Sequence, residues 1–189
     1  MDITCFFAKE ESDTNIKATI GSDDYAVIIE YYDKELNVDK RLVKTTNDEP
    51  TPITCVEEMV DKISEDFWKK EGLKILDPCC GCGNFPFVIY HKLIKYHSRE
   101  TILNDILHFN DLNMDRIEVL KKIFNYEGLN VYTEDFLKFE TDIKFDLIVA
   151  NPPYAKLDAN GKRTAKNHNL IGLFINKSLE LLNEKGLLL

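Results

Sequence analysis

Apolar positions follow a repeating order from Lys74 onward, where short apolar runs alternate with stretches of helical spacing. Ile75-Leu76 precedes Phe85 to Lys95, Ile106 to Phe109 precedes Asp115 to Phe124, and Phe145 to Ala150 precedes Leu170 to Leu182. Strand, helix, strand in this order predicts parallel pairing through right-handed crossovers, so the expected fold is a doubly wound, mainly parallel α/β sheet. Ile148-Val149-Ala150 is apolar on both faces, as a central parallel strand should be. Ile117, Leu120 and Phe124 mark the buried stripe of a helix that Gly128 can terminate. Asn130 to Thr133 supplies a third strand-like run.

Upstream, Val56, Met59, Val60, Ile63 and Phe67 recur at helical spacing and give one apolar face. Thr51-Pro52 starts that helix well, with Thr51 as N-cap and Pro52 in the first turn. Tyr25 to Tyr32 and Arg41 to Lys44 read as strand-like, separated by the polar stretch Asp33 to Lys40. Residues 1–50 are therefore set apart as an N-terminal extension without assigned chemistry, and 51–189 as one catalytic domain. Gly186 to Leu189 reads as the beginning of another core strand. The expectation is a sheet incomplete at its C-terminal side, completed by further chain or by a partner subunit.

With 189 residues and 44% hydrophobic content, one core is affordable and a second full domain is not expected. The net charge of −9 gives no general attraction to phosphate backbones, so any nucleic-acid contact must be local. The local candidate is the loop holding Lys156, Lys162, Arg163 and Lys166 against the single acid Asp158. Five cysteines, with no signal peptide and no apolar run of membrane-spanning length, suggest a reduced, intracellular (cytoplasmic) protein. Cys79, Cys80 and Cys82 crowd one loop but lack the second ligand cluster a zinc site needs, and no metal is expected.

That loop, Asp77-Pro78-Cys79-Cys80-Gly81-Cys82-Gly83-Asn84-Phe85, joins a strand to a helix. Gly81 and Gly83 let a ligand approach the backbone where a side chain would clash. A dinucleotide fingerprint would place a third glycine where Pro86 stands and an acid about 20 residues on, so a nicotinamide cofactor is disfavoured. Asp111, at the end of the next strand, can accept from both hydroxyls of a ribose. Asp135 can accept an adenine amino proton, and Phe136 can cover a purine face.

The second motif is Asn151-Pro152-Pro153-Tyr154. An aromatic exocyclic amine is a poor nucleophile because its lone pair is delocalised into the ring, and two fixed acceptors can localise that pair. The amide oxygen of Asn151 and the main-chain carbonyl of Pro152 can each take one amine hydrogen. Consecutive prolines stiffen the presentation, and Pro153 and Tyr154 offer surface for a base, Tyr154 by stacking.

Taken together, the glycine-rich loop followed by Asn151-Pro152-Pro153-Tyr154 resembles the S-adenosylmethionine-dependent N6-adenine DNA methyltransferases of restriction–modification type, and the order of parts resembles their γ class. The resemblance covers about residues 51–189. It implies a Rossmann-like fold, S-adenosyl-L-methionine as cofactor, and DNA as partner, with a flipped adenine as target. It also implies Asn151, Pro152 and Tyr154 as catalytic or base-holding residues. Thr51, Asp77, Gly81, Gly83, Asp111, Asp135 and Phe136 would form the cofactor site. RNA-adenine and protein-glutamine methyltransferases share the tetrapeptide and are the alternatives, together with a non-catalytic cofactor-binding fragment or subunit. The residues flanking the glycines favour DNA.

Overall fold

The computed structural model describes residues 25–39, 42, 49–153 and 170–189. Five strands form its centre: β1 (Ile75–Asp77), β2 (Leu107–Asn110), β3 (Asn130–Tyr132), β4 (Phe145–Ile148) and β5 (Leu182–Leu188). Their order is β3-β2-β1-β4-β5, and every pairing is parallel. Ile75 lies opposite Leu107 on one side and Leu147 on the other. Chain order therefore runs outward from β1 to β3 and then returns across β1 to β4. That reversal opens a crevice beyond the C-terminal ends of β1 and β4, where ligands bind in sheets of this kind.

Side-chain alternation in the strands feeds two layers of core. Ile75, Leu107, Phe109 and Leu147 point into one layer, with Val56, Val60, Phe87, Ile117 and Leu120 from the covering helices. Leu76, Phe145 and Ile148 point into the other, against Phe136, Phe139 and Phe174. The covering helices are α1 (Tyr25–Tyr31), α2 (Ile53–Val60), α3 (Glu65–Trp68), α4 (Asn84–Leu93), α5 (Arg99–Thr101), α6 (Met114–Phe124) and α7 (Leu170–Leu181).

The largest departure from the sequence reading is at Tyr25 to Tyr32, which forms α1 and a following π-helical turn, Tyr32–Leu36, instead of a strand. Ile28, Tyr32 and Leu36 are buried on one face at four-residue spacing, so the helical period outweighed the aromatic and β-branched content. Of Arg41 to Lys44 only Leu42 is described, and it is helical and buried. Ile28, Tyr32, Leu36 and Leu42 belong to the same core layer as α2 and α4, so these residues pack as part of the domain that follows them.

Smaller differences concern boundaries. Pro52, not Thr51, occupies the N-cap of α2, with φ −54° and ψ 141°. The helical stripe predicted to reach Phe67 is split between α2 and α3. Asn125, at φ 41°, ends α6 in the left-handed conformation, a role expected of Gly128. The last strand begins at Leu182, earlier than Gly186, and pairs with β4.

Candidate active site

The glycine-rich loop is built around two left-handed residues, Gly81 at φ 56° and Gly83 at φ 96°. A Cβ on Gly81 would meet nothing within 4 Å, whereas one on Gly83 would lie 2.5 Å from Leu120 Cδ1 and 3.2 Å from the Tyr32 hydroxyl oxygen. Gly81 thus faces open space in the crevice. Gly83 faces protein, and Tyr32 supports it from beneath by donating its hydroxyl to the Cys82 carbonyl at 2.8 Å.

The crevice is narrow and open to solvent, with a cavity volume of about 60 Å³. Its walls include Asp77, Cys79, Gly81, Asn84 and Phe85 from the loop and α4, Thr51 and Pro50 from the chain before α2, Arg116 from α6, and Asn151. Leu36, Asn37 and Leu42 close the remaining side.

Of two buried carboxylates close by, Asp77 lines the crevice and Asp111 sits against the Gly81 amide. Asp77 Oδ1 accepts from the Cys79 amide at 3.1 Å. Burial first, and the neighbouring Asp111 second, push the Asp77 carboxyl well above its usual range, while the Cys79 amide works the other way. Asp111 Oδ2 accepts from the Gly81 amide at 2.8 Å and Oδ1 from the Asn113 amide at 2.8 Å. Arg116 stands 3.8 Å from Asp111 Oδ2 and gives two hydrogen bonds, 2.9 and 2.7 Å, to the Leu42 carbonyl.

Asn151 follows β4 on the opposite wall. Its Nδ2 donates to the Glu49 carbonyl and the Thr51 hydroxyl, both at 3.1 Å. The Cys79 thiol contacts the Asn151 main-chain carbonyl at 3.5 Å. Pro152 and Pro153 are half-buried beside it. Tyr154, Lys156, Lys162, Arg163 and Lys166 lie outside the described residues.

Asp77, Gly81, Asp111, Thr51 and Asn151 are thus brought to one crevice or its immediate frame. Asp135 and Phe136 are not. Asp135 caps the short helix Phe136–Lys138 by accepting from the Leu137 amide at 3.2 Å. The Phe136 ring is 2% exposed and packs on Phe174 at 5.1 Å. Gly83 has protein, not open space, where a side chain would stand.

One residue beside the site, Asn110, gave no motif signal. Asn110, 1% exposed, donates to the carbonyls of Pro78 and Glu134 and accepts from the Glu134 amide, tying the ends of β1, β2 and β3 together. A polar residue closing an apolar strand just before Asp111 was the available clue. Asn84 donates to the Thr51 carbonyl at 2.7 Å and to Asn37 Oδ1 at 3.0 Å. Among the described residues no group of side chains could hold a metal ion, and no helix is long and apolar enough to cross a membrane. The four described cysteines are free thiols.

This geometry agrees with what the chain is similar to. Residues 66–189 match the family described as Eco57I restriction-modification methylase. The chain belongs to that family. It is 32% identical over 143 residues to the modification methylase CviBIII of Paramecium bursaria Chlorella virus NC1A, a match covering 73% of this chain and 35% of that protein. It is 28% identical over 156 residues to the type II methyltransferase M.BstVI of Geobacillus stearothermophilus, covering 62% of this chain and 28% of that protein. The chain therefore spans about a third of the length of these relatives. Among solved structures, one described as a modification subunit of a type I restriction enzyme from Vibrio vulnificus YJ016 aligns over 82% of this chain and 35% of its own, with TM-score 0.59 at 18% identity. The DrdV–DNA complex aligns over 86% of this chain and 22% of its own, with TM-score 0.54 at 18% identity. At such identities these matches establish the Rossmann-like fold.

Proposed function

We propose that this chain carries the catalytic region of a DNA methyltransferase that moves a methyl group from S-adenosyl-L-methionine to the N6 amine of an adenine flipped out of the duplex. The observation that carries this reading is the position of the Asn151 amide on the wall of the same crevice that Gly81 and Asp77 line. A cofactor and an amine bound there would meet across a short gap.

The crevice fits a cationic nucleoside ligand on its own chemistry. Burial and the nearby Asp111 make ionising Asp77 unfavourable, and a bound cation relieves that cost. Gly81 leaves its side of the crevice open, and the Asp111 carboxylate behind it is of the kind that accepts from ribose hydroxyls. When bound, the sulfonium supplies an electrophilic methyl carbon. The protein's part is positional: the Asn151 amide oxygen and the Pro152 carbonyl accept the two amine hydrogens and concentrate the lone pair on nitrogen. With the donor bound, Asn151 and Pro152 would keep the nitrogen lone pair aimed at its methyl group, and one of the two amine hydrogens they hold would be lost to water as a proton. Tyr154 is assigned to stacking on the extruded base, worth about 1–3 kcal/mol for such contacts. Lys156, Lys162, Arg163 and Lys166 are assigned to nearby phosphates, which predicts weaker DNA binding as salt rises. Selection of a DNA sequence is assigned to a further domain or a partner subunit, because the match covers only about a third of the relatives' length.

The test is transfer of label from methyl-labelled donor to mixed-sequence DNA, to RNA and to a glutamine-containing peptide in parallel. Incorporation into DNA is expected. Labelling of RNA or peptide alone would overturn the substrate assignment.

A further inference from the structure

The orientation of the Asn151 amide is set by residues far away in sequence. An amide's oxygen and nitrogen are interchangeable in shape, and only their partners decide which way the group points. The atom of Asn151 that faces the Glu49 carbonyl must be the nitrogen, because a carbonyl can only accept. The Thr51 hydroxyl oxygen, also at 3.1 Å, takes the second hydrogen of the same nitrogen. With both hydrogens engaged, the planar group has its oxygen on the other edge, the orientation an amine acceptor needs.

Thr51 is held in turn. Its carbonyl accepts from Asn84 Nδ2 at 2.7 Å, and Asn84, 7% exposed, opens α4 directly after the glycine-rich loop. One residue therefore joins the loop that frames the cofactor crevice to the amide that would hold the target amine. We propose that Thr51 is a positioning residue for Asn151, its hydroxyl steadying the amide in the flip that the Glu49 carbonyl sets, and that its main contribution lies there more than in contact with cofactor. This inference rests on the methyltransferase reading for its kinetic consequence, but the geometry it asserts is independent of turnover.

The variants are Thr51→Val, which keeps the shape and removes the acceptor, and Thr51→Ser, which restores it. The first readout is the pair of Asn151 side-chain amide proton resonances in the ¹H–¹⁵N spectrum of the whole chain, assigned by their loss in Asn151→Ala. They are expected to shift in Thr51→Val and return in Thr51→Ser, and unchanged resonances in Thr51→Val overturn the proposal whether or not the chain methylates anything. The second readout is kinetic, with kcat falling about 2- to 13-fold in Thr51→Val, the range for one neutral hydrogen bond. The KM for S-adenosyl-L-methionine is expected to stay within about twofold, and Thr51→Ser to recover kcat. A raised KM with unchanged kcat, or a loss that serine does not rescue, overturns it. A wild-type chain without transfer to any acceptor would count against the methyltransferase reading, and the resonances would then decide the tether alone.

Discussion

Gly81 and Gly83 are two residues apart and look equivalent in the motif, yet alanine should act on them through different physics. At Gly83 the φ of 96° is unfavourable to any side chain, and the new Cβ would sit 2.5 Å from Leu120 Cδ1, in a core where Leu120 is fully buried. A left-handed residue costs about 1–2 kcal/mol and overpacking a tight site about 1–3 kcal/mol, so Gly83→Ala should lose about 2–5 kcal/mol. For a chain of this size each kcal/mol moves Tm by about 2–4 °C, giving a drop of about 4–20 °C in a thermal melt. At Gly81 the φ is 56° and nothing lies within 4 Å of the added Cβ, so only the backbone cost of about 1–2 kcal/mol applies. Its methyl instead enters the crevice, and S-adenosyl-L-methionine affinity measured by titration calorimetry should fall further in Gly81→Ala than in Gly83→Ala. Shortening the neighbour gives an internal control, because Gly83→Ala should cost less in a Leu120→Val background than in the wild type. Equal Tm losses at both glycines, or strict additivity with Leu120→Val, would refute the reasoning.

Other expectations follow from buried polar groups. His108, 4% exposed, has its pKa lowered to about 4, mainly by burial and then by Lys74. Between that value and the ordinary 6.5 the unfolded chain binds a proton that the folded one refuses, so stability should fall by up to about 3 kcal/mol as pH drops from 6.5 to 4. Urea titrations across that window, repeated with His108→Gln, check it, and an unchanged slope in the variant would count against the assignment. Asn110→Leu should cost about 3 kcal/mol in the same assay, because it strands the Pro78 and Glu134 carbonyls and the Glu134 amide. Burial pushes the Cys82 thiol up to about 12 and Cys80 well above its ordinary value, so alkylation at neutral pH followed by mass spectrometry should modify exposed Cys55 before Cys80 or Cys82. Early modification of Cys80 would contradict the packing described.

The parallel sheet was legible because β1, β2 and β4 are each a few apolar residues long and are followed by helices of clear period. Their C-terminal residues, Asp77, Asp111 and Asn151, could be placed at one edge on that basis alone. The N-terminal helix was not legible, because Tyr25 to Tyr31 is rich in aromatic and β-branched side chains and its buried stripe, Ile28, Tyr32 and Leu36, continues into a π-helical turn. Sequence could not separate the roles of the two glycines, since what differs is the distance to Leu120 on α6. The packing of Phe136 was hidden for a related reason. A ring beside a strand end can turn to a ligand or to the core, and here it lies against Phe139 and Phe174. The hydrogen bonds from Asn151 to Glu49 and Thr51 span about a hundred positions and have no local signature.

The most direct test of the account is the fate of the methyl group. Mixed-sequence DNA incubated with labelled S-adenosyl-L-methionine and the chain, then digested to nucleosides, should yield labelled N6-methyldeoxyadenosine, and Asn151→Ala should bind the donor as tightly while yielding none. Label in a cytosine nucleoside, or undiminished adenine labelling by Asn151→Ala, would contradict it.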